Sequence, residues 1–143
     1  MLQERISLAA AYVGCAQTVV DTAAKYAKER IQFGQPIAQF QVIRHMIVDM
    51  QTKVDAARLL TYRAACELKK GQSAIATRSV FQAKYFGAET LQSVATDGVQ
   101  ILGGYGLMPE YNMERYFREG KQANIGGGAT QLVKDYIGKK MLS

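Results

Sequence analysis

Tryptophan is absent from this 143-residue chain, and histidine (one), cysteine (two) and proline (two) are scarce. One histidine and two cysteines outside any C-x-x-C spacing leave no ordinary zinc set. A di-iron bundle needs Glu-x-x-His pairs on two helices, and none is written here, so no metal site is expected. Cys15 and Cys66 read as free thiols of a reducing compartment. No apolar run reaches the length of a membrane span, and the start Met-Leu-Gln-Glu-Arg lacks the basic-then-apolar form of a signal peptide. With no targeting segment, a cytoplasmic location is expected, or the mitochondrial matrix in a eukaryote. Acidic residues are also short, 12 against 18 Lys and Arg, for a net charge of +6. The basic residues are dispersed along the chain with no basic recognition helix, so no nucleic-acid partner is expected. A phosphorylated cofactor is the anion to consider.

What is present is helical. Hydrophobic residues make up 48% and charged residues 21%, the balance of one globular domain covering residues 1–143. Ile6, Ala9, Ala10, Val13, Gln17, Val20, Ala24 and Ala27 recur at three- and four-residue steps and predict a helix from about Leu2 to Ile31. Phe40, Ile43, Ile47, Met50, Val54, Ala57 and Leu60 predict a second from about Gln39 to Lys70, stopped by Gly71. Ser73 is placed as N-cap of a third, about Ala74 to Leu102, with Val80, Phe81, Lys84, Gly87, Ala88, Leu91, Ala95 and Val99 facing inward. A short helix from about Asn112 to Glu119 and a last one from about Thr130 to Met141 complete the pattern. The expected class is all-α: an antiparallel up-down-up-down four-helix bundle with a short extra helix before the last. No fixed-period self-similarity supports a helical repeat.

Between the first two helices runs Arg30-Ile-Gln-Phe-Gly-Gln-Pro-Ile-Ala-Gln-Phe-Gln41. Gly34 opens backbone angles closed to other residues, and Pro36 pushes Gln35 out of the α region. Arg30, Gln32, Gln35, Gln39 and Gln41 supply donors, and Phe33 and Phe40 flat apolar surface. The corner reads either as a solvated helix–helix turn or as a holder for a phosphate-bearing aromatic ligand. Gln100-Ile-Leu-Gly103-Gly104 reads as a helix C-cap or as close backbone approach to a ligand, and neither glycine cluster has the form of a nucleotide loop. Glu4 is a first-turn carboxylate suited to the helix dipole, or a general base if Ile6, Leu8 and the alanines give it an apolar setting. His45 stands without catalytic partners, and Met46, Met50, Phe81 and Phe86 read as core. Tyr105, Met108 and Tyr111 lie in a loop.

The R-x-x-F-G-x-x-I-x-x-F-Q corner, the Q-I-L-G-G-Y-G helix end, the E-Y-x-x-x-x-x-x-R segment and the I-G-G-G loop together resemble the C-terminal domain of the flavin-dependent acyl-CoA dehydrogenases, over nearly the whole chain. The resemblance implies FAD as cofactor and α,β-dehydrogenation of an acyl-CoA thioester as the reaction. A carboxylate would remove the α-proton while a hydride leaves the β-carbon for the flavin. Electron-transfer flavoprotein or a similar acceptor, and a homo-oligomer (dimer or tetramer) packed through these bundles, are implied partners. By residue, it implies Arg30, Gln32, Phe33 and Gln41 as contacts to the ADP part of FAD, in a neighbouring subunit. Gln100, Gly103 and Gly104 would touch the pyrophosphate and adenosine side.

The sequence departs from the family where its usual loop glutamate would stand, at Gly127, and Ala129 replaces the usual threonine. Long-chain and isovaleryl-type members of the family lack that glutamate and place the base just before an arginine at the start of the first helix, a pair that Glu4-Arg5 resembles here. The resemblance therefore implies Glu4 as catalytic base and Arg5 as a substrate-pocket residue. Arg118-Glu119 replaces the usual Arg-Asp pair. The family's N-terminal helical and middle β-domains are absent, so the chain alone is expected to be inactive. The alternative is a non-catalytic oligomerisation bundle or a silent partner subunit.

Overall fold

The computed structural model describes residues 2–142. Five helices account for most of it: α1 Leu2–Glu29, α2 Gln41–Lys69, α3 Ala74–Leu102, α4 Met113–Ala123 and α5 Thr130–Leu142. The expected all-α class stands. No described helix is long and apolar enough to cross a membrane. Ser73 caps α3 as its position predicts, its side-chain oxygen accepting from the Ala76 amide at 3.0 Å.

The α3 helix is the hub, packing against α1, α2, α4 and α5. Its inner residues Leu91, Val94, Ile101 and Leu102 meet Val19, Val20 and Ala23 of α1 and Met50, Val54 and Ala57 of α2 in one core. Each fully buried aliphatic side chain there contributes roughly 1.5–3 kcal/mol relative to exposure. A second cluster, Ala9, Ala64, Val80, Phe81, Val133 and Ile137, closes the other end of α3. On α1 the expected Ala9, Val13, Val20 and Ala27 are buried and are joined by Tyr12, Ala16, Val19 and Ala23, whereas Ala10 is exposed and Ala24 only half-buried. Gln17, expected in the stripe, instead joins a polar ladder. Its Nε2 donates to Gln51 Oε1 at 2.9 Å, and its Oε1 accepts from Arg58 at 2.6 Å.

Glycines set the spacing between α3 and its neighbours. A Cβ on Gly98 would lie 2.7 Å from Val19 and 2.8 Å from the Met113 sulfur, and one on Gly120 would lie 2.9 Å from Gln92 Cα.

The connection from α1 to α2 is not a plain helix–helix turn. Ile31–Gln32 (β1) pairs antiparallel with Gln35–Pro36 (β2), Ile31 opposite Pro36 and Gln32 opposite Gln35. Phe33 (φ 52°) and Gly34 (φ 79°) make the two-residue reversal, both in the positive-φ region that tight hairpins require. A 3-10 turn, Ile37–Gln39, then leads into α2, so that helix begins two residues later than the periodicity suggests and α1 ends two residues earlier. The short helix α4 runs four residues further than expected, to Ala123.

Candidate functional site

Two regions gather the candidate residues, one at each end of α3. The first is an open groove of about 490 Å³ lined by Tyr26, Arg30, Gln32, Ile37, Gly103 and Gly104, among others. Arg30 emerges just after α1, where the chain leaves the helix. Its amide still donates to Tyr26 and its carbonyl accepts from Ile37, each at 2.8 Å, so the backbone around it is fixed. Its guanidinium lies over the Tyr105 ring, 5.6 Å from the centroid. Tyr26, Tyr105 and Tyr111 form a mutual cluster, with centroids 5.3–6.3 Å apart. The hairpin thus carries a cation to an aromatic, glycine-floored groove.

Gly103 makes the floor possible. With φ 60° and ψ −135° it ends α3 in a conformation open to glycine, and no other atom stands within 4 Å of where its Cβ would be. Its amide caps α3, donating to the carbonyls of Gln100 and Val99. What Gly103 offers a ligand is therefore room rather than a spare N–H.

The second region joins the start of α1 to the loop between α4 and α5. Arg5 Nε donates to the Gly127 carbonyl at 3.0 Å, and its guanidinium stacks 4.6 Å from the centroid of Phe81. Gly127 (φ 65°) and Gly128 (φ 103°) both need the positive-φ region. A Cβ on Gly127 would stand 2.5 Å from Leu8 Cδ1. Beneath the loop lies Lys84, fully buried, donating to the Gly128 carbonyl at 2.6 Å and to the Ala123 carbonyl at 3.1 Å. Burial first, and the Arg5 charge second, hold its pKa below the usual lysine value.

Arg30, Gln32, Gly103 and Gly104 thus share one groove. Phe33, Gln41 and Gln100 lie outside its lining. Phe33 is 92% exposed at the hairpin tip with its ring edge-on to Phe40 (6.1 Å), Gln41 is exposed at the start of α2, and Gln100 is exposed at the end of α3. Glu4 and Arg5 stand at the opposite end of α3. Glu4 is exposed in the first turn of α1, so the apolar setting expected from Leu8 is not formed around it by this chain; Leu8 turns toward Gly127 instead. A further open pocket of about 500 Å³, between α3, α4 and α5, holds none of the expected residues. Sequence reasoning missed Tyr26 as a groove wall and Lys84 as the support of the loop. For Lys84 the signal was available: a lysine in a register of otherwise buried positions.

A model of the acyl-CoA dehydrogenase C-terminal domain matches residues 1–142. The chain is 41% identical over 138 residues to a 3-(aryl)acrylate reductase of Clostridium sporogenes, covering 96% of this chain and 36% of that protein. It is likewise 41% identical to the CarC subunit of the caffeyl-CoA reductase-Etf complex of Acetobacterium woodii, with the same coverage. Among solved structures, butyryl-CoA dehydrogenase from Megasphaera elsdenii superposes with a TM-score of 0.93 at 35% identity, over 97% of this chain and 36% of that one. The chain therefore spans about a third of the length of these relatives.

Proposed function

This chain belongs to the acyl-CoA dehydrogenase family, as its C-terminal domain, and from that premise we propose that it is the helical-bundle part of an FAD-dependent enzyme that desaturates acyl-CoA thioesters between Cα and Cβ. The remaining two-thirds of the relatives' length corresponds, in this reading, to an N-terminal helical and a middle β-domain. The bundle alone is then inactive. The observation that carries the reading is the convergence of Arg30, Gln32, Gly103 and Gly104 on one open groove. A guanidinium beside glycine backbone and aromatic faces fits a dinucleotide by charge and shape. Arg30 would pair with the pyrophosphate, Gln32 would hydrogen-bond beside it, and Gly103 and Gly104 would admit the ligand close to the helix end. Phe33, Gln41 and Gln100, exposed around the groove, would complete the contact, and the protruding hairpin suits a cofactor seated in a second copy of the chain.

FAD, when bound, supplies the acceptor for the hydride that leaves the substrate β-carbon. Glu4 would take the α-proton onto a carboxylate oxygen, in a pocket completed by the other domains. Arg5, anchored through Nε and stacked on Phe81, would face the substrate at the same turn. An electron-transfer flavoprotein is the partner the reading implies, in line with the Etf complex to which the Acetobacterium relative belongs. Cytoplasm or mitochondrial matrix is the compartment in which such chemistry would run.

Glu4→Gln in the flavin-loaded full-length protein tests the assignment. Turnover of an acyl-CoA should fall by roughly 10²–10⁴-fold with flavin content unchanged. Undiminished turnover would assign the proton to another group, and absence of both flavin and turnover from the wild type would leave the bundle as an assembly module.

A further inference from the structure

The loop between α4 and α5 has three successive glycines, Gly126 to Gly128, and ordering such a segment costs more backbone entropy than any other. Its two ends are tied locally. The Thr130 amide donates to the Asn124 carbonyl at 3.0 Å, the Thr130 hydroxyl donates to Asn124 Oδ1 at 3.1 Å, and Asn124 Nδ2 donates back to Gly120 and across to the Ala88 carbonyl of α3 at 3.3 Å. None of these contacts reaches Gly127 or Gly128. The middle is held from outside, by Arg5 on the Gly127 carbonyl and by Lys84 on the Gly128 carbonyl, and Lys84 also bonds the Ala123 carbonyl at the end of α4.

Lys84 is an expensive choice for a position that only needs filling. Its side chain is fully buried, its hydrogen bonds go to main-chain carbonyls, and the nearest charge influencing it is another cation, Arg5. A methionine would occupy the space without desolvating a charge. What a methionine lacks, and the ammonium provides, is simultaneous donation to two carbonyls of different kinds. Ala123 lies in the last turn of α4, where carbonyls lack intrahelical partners and a cation is favoured, and Gly128 lies just before α5. In a planar trans peptide the carbonyl and the following N–H point in opposite directions. Drawing the Gly127 and Gly128 carbonyls toward Arg5 and Lys84 therefore turns the amides of Gly128 and Ala129 away from both cations.

We propose that Lys84 is a positioning residue for turnover: through the Ala123 and Gly128 carbonyls it fixes the glycine loop against the first turn of α1, and so sets where Arg5 and Glu4 stand. This rests on the dehydrogenase reading of the site. The test uses the full-length flavin-loaded protein with Lys84→Met, which fills the space, and Lys84→Gln, which restores a donor. Lys84→Met should lower kcat by roughly ten- to a hundredfold, as expected of small misplacements, while flavin content stays near the wild type. Amide hydrogen exchange at Gly126 and Thr130, whose amides bond the Gln122 and Asn124 carbonyls across the loop, should quicken by roughly tenfold, with α2 unaffected. Lys84→Gln should recover part of both effects. A Lys84→Met protein with kcat close to wild type, or with unchanged loop exchange, overturns the inference, as does a Lys84→Gln protein no better than Lys84→Met. If Lys84→Met does not fold, Lys84→Gln against the wild type carries the same two readouts. Loop exchange is measured without substrate, and wild-type turnover is scored separately, so a failed activity assignment is not mistaken for a failed role of Lys84.

Discussion

Arg30 and Lys84 are both cations set beside glycines, Arg30 near the C-terminal end of α3 and Lys84 in its N-terminal half, yet their surroundings differ in kind. Arg30 lies half-buried against the face of Tyr105, in an open groove of about 490 Å³. Lys84 is sealed, and its donors meet carbonyls of the same chain. The glycines follow suit: Gly103 has open space where a Cβ would be, whereas Gly127 has Leu8. A group whose hydrogen-bonding capacity is left open is available to a ligand. A group whose capacity is used internally holds geometry. This difference supports the proposed roles, the groove as a binding surface and the loop as a support, although both are built from a cation, glycines and an aromatic ring.

The sharpest way to break the contrast is to add one methyl group at each end. Gly127→Ala meets both backbone strain at φ 65° and the Leu8 contact, and should cost about 2–4 kcal/mol in denaturant unfolding. Gly103→Ala meets backbone strain alone and should cost about 1–3 kcal/mol. A Leu8→Ala background should recover part of the Gly127→Ala loss and none of the Gly103→Ala loss. Next in size, Arg30→Ala should leave stability within about 1 kcal/mol. It should nevertheless weaken flavin binding by about ten- to a hundredfold, the worth of roughly 1.5–3 kcal/mol for a hydrogen bond to a charged group. Flavin release followed by fluorescence titration reads this directly.

The smallest effect is a pH slope. Burial and Arg5 lower the folded-state pKa of Lys84 from 10.5, so the folded protein sheds this proton before the unfolded chain does. The desolvation penalty is full below the folded pKa and is relieved as pH rises toward 10.5, so stability gains with pH in that window. The wild type should therefore show a more positive slope there than Lys84→Met, by at most about 1.4 kcal/mol per pH unit.

The helices and the Ser73 cap were legible because period and capping act within a few residues. The β-hairpin was not, since two-residue strands are too short to show alternation and Phe33, with its positive φ, carries no turn signature. The α1 stripe was legible only in part, because alanines on several faces make it ambiguous, and Gln17 found polar partners across the interface instead of a place in it. In the groove, the corner and the Gln100–Gly104 helix end could be matched to the family, but that Arg30 and Gly103 would share one wall depends on how α1 crosses α3. Lys84 was placed on the inner face correctly. Its acceptors are main-chain carbonyls of a distant loop, and no residue type announces those.

One consequence of α3 concerns length. Lys84 rides on the unbroken helix that Gly103 terminates, and at 1.5 Å per residue the rise from Lys84 to its last residue, Leu102, is about 27 Å. Because Gly98 and Gly120 press that helix against its neighbours without room for a methyl group, the separation behaves as a measuring rod. A ligand shorter than the rod meets one end of a given chain or the other, never both.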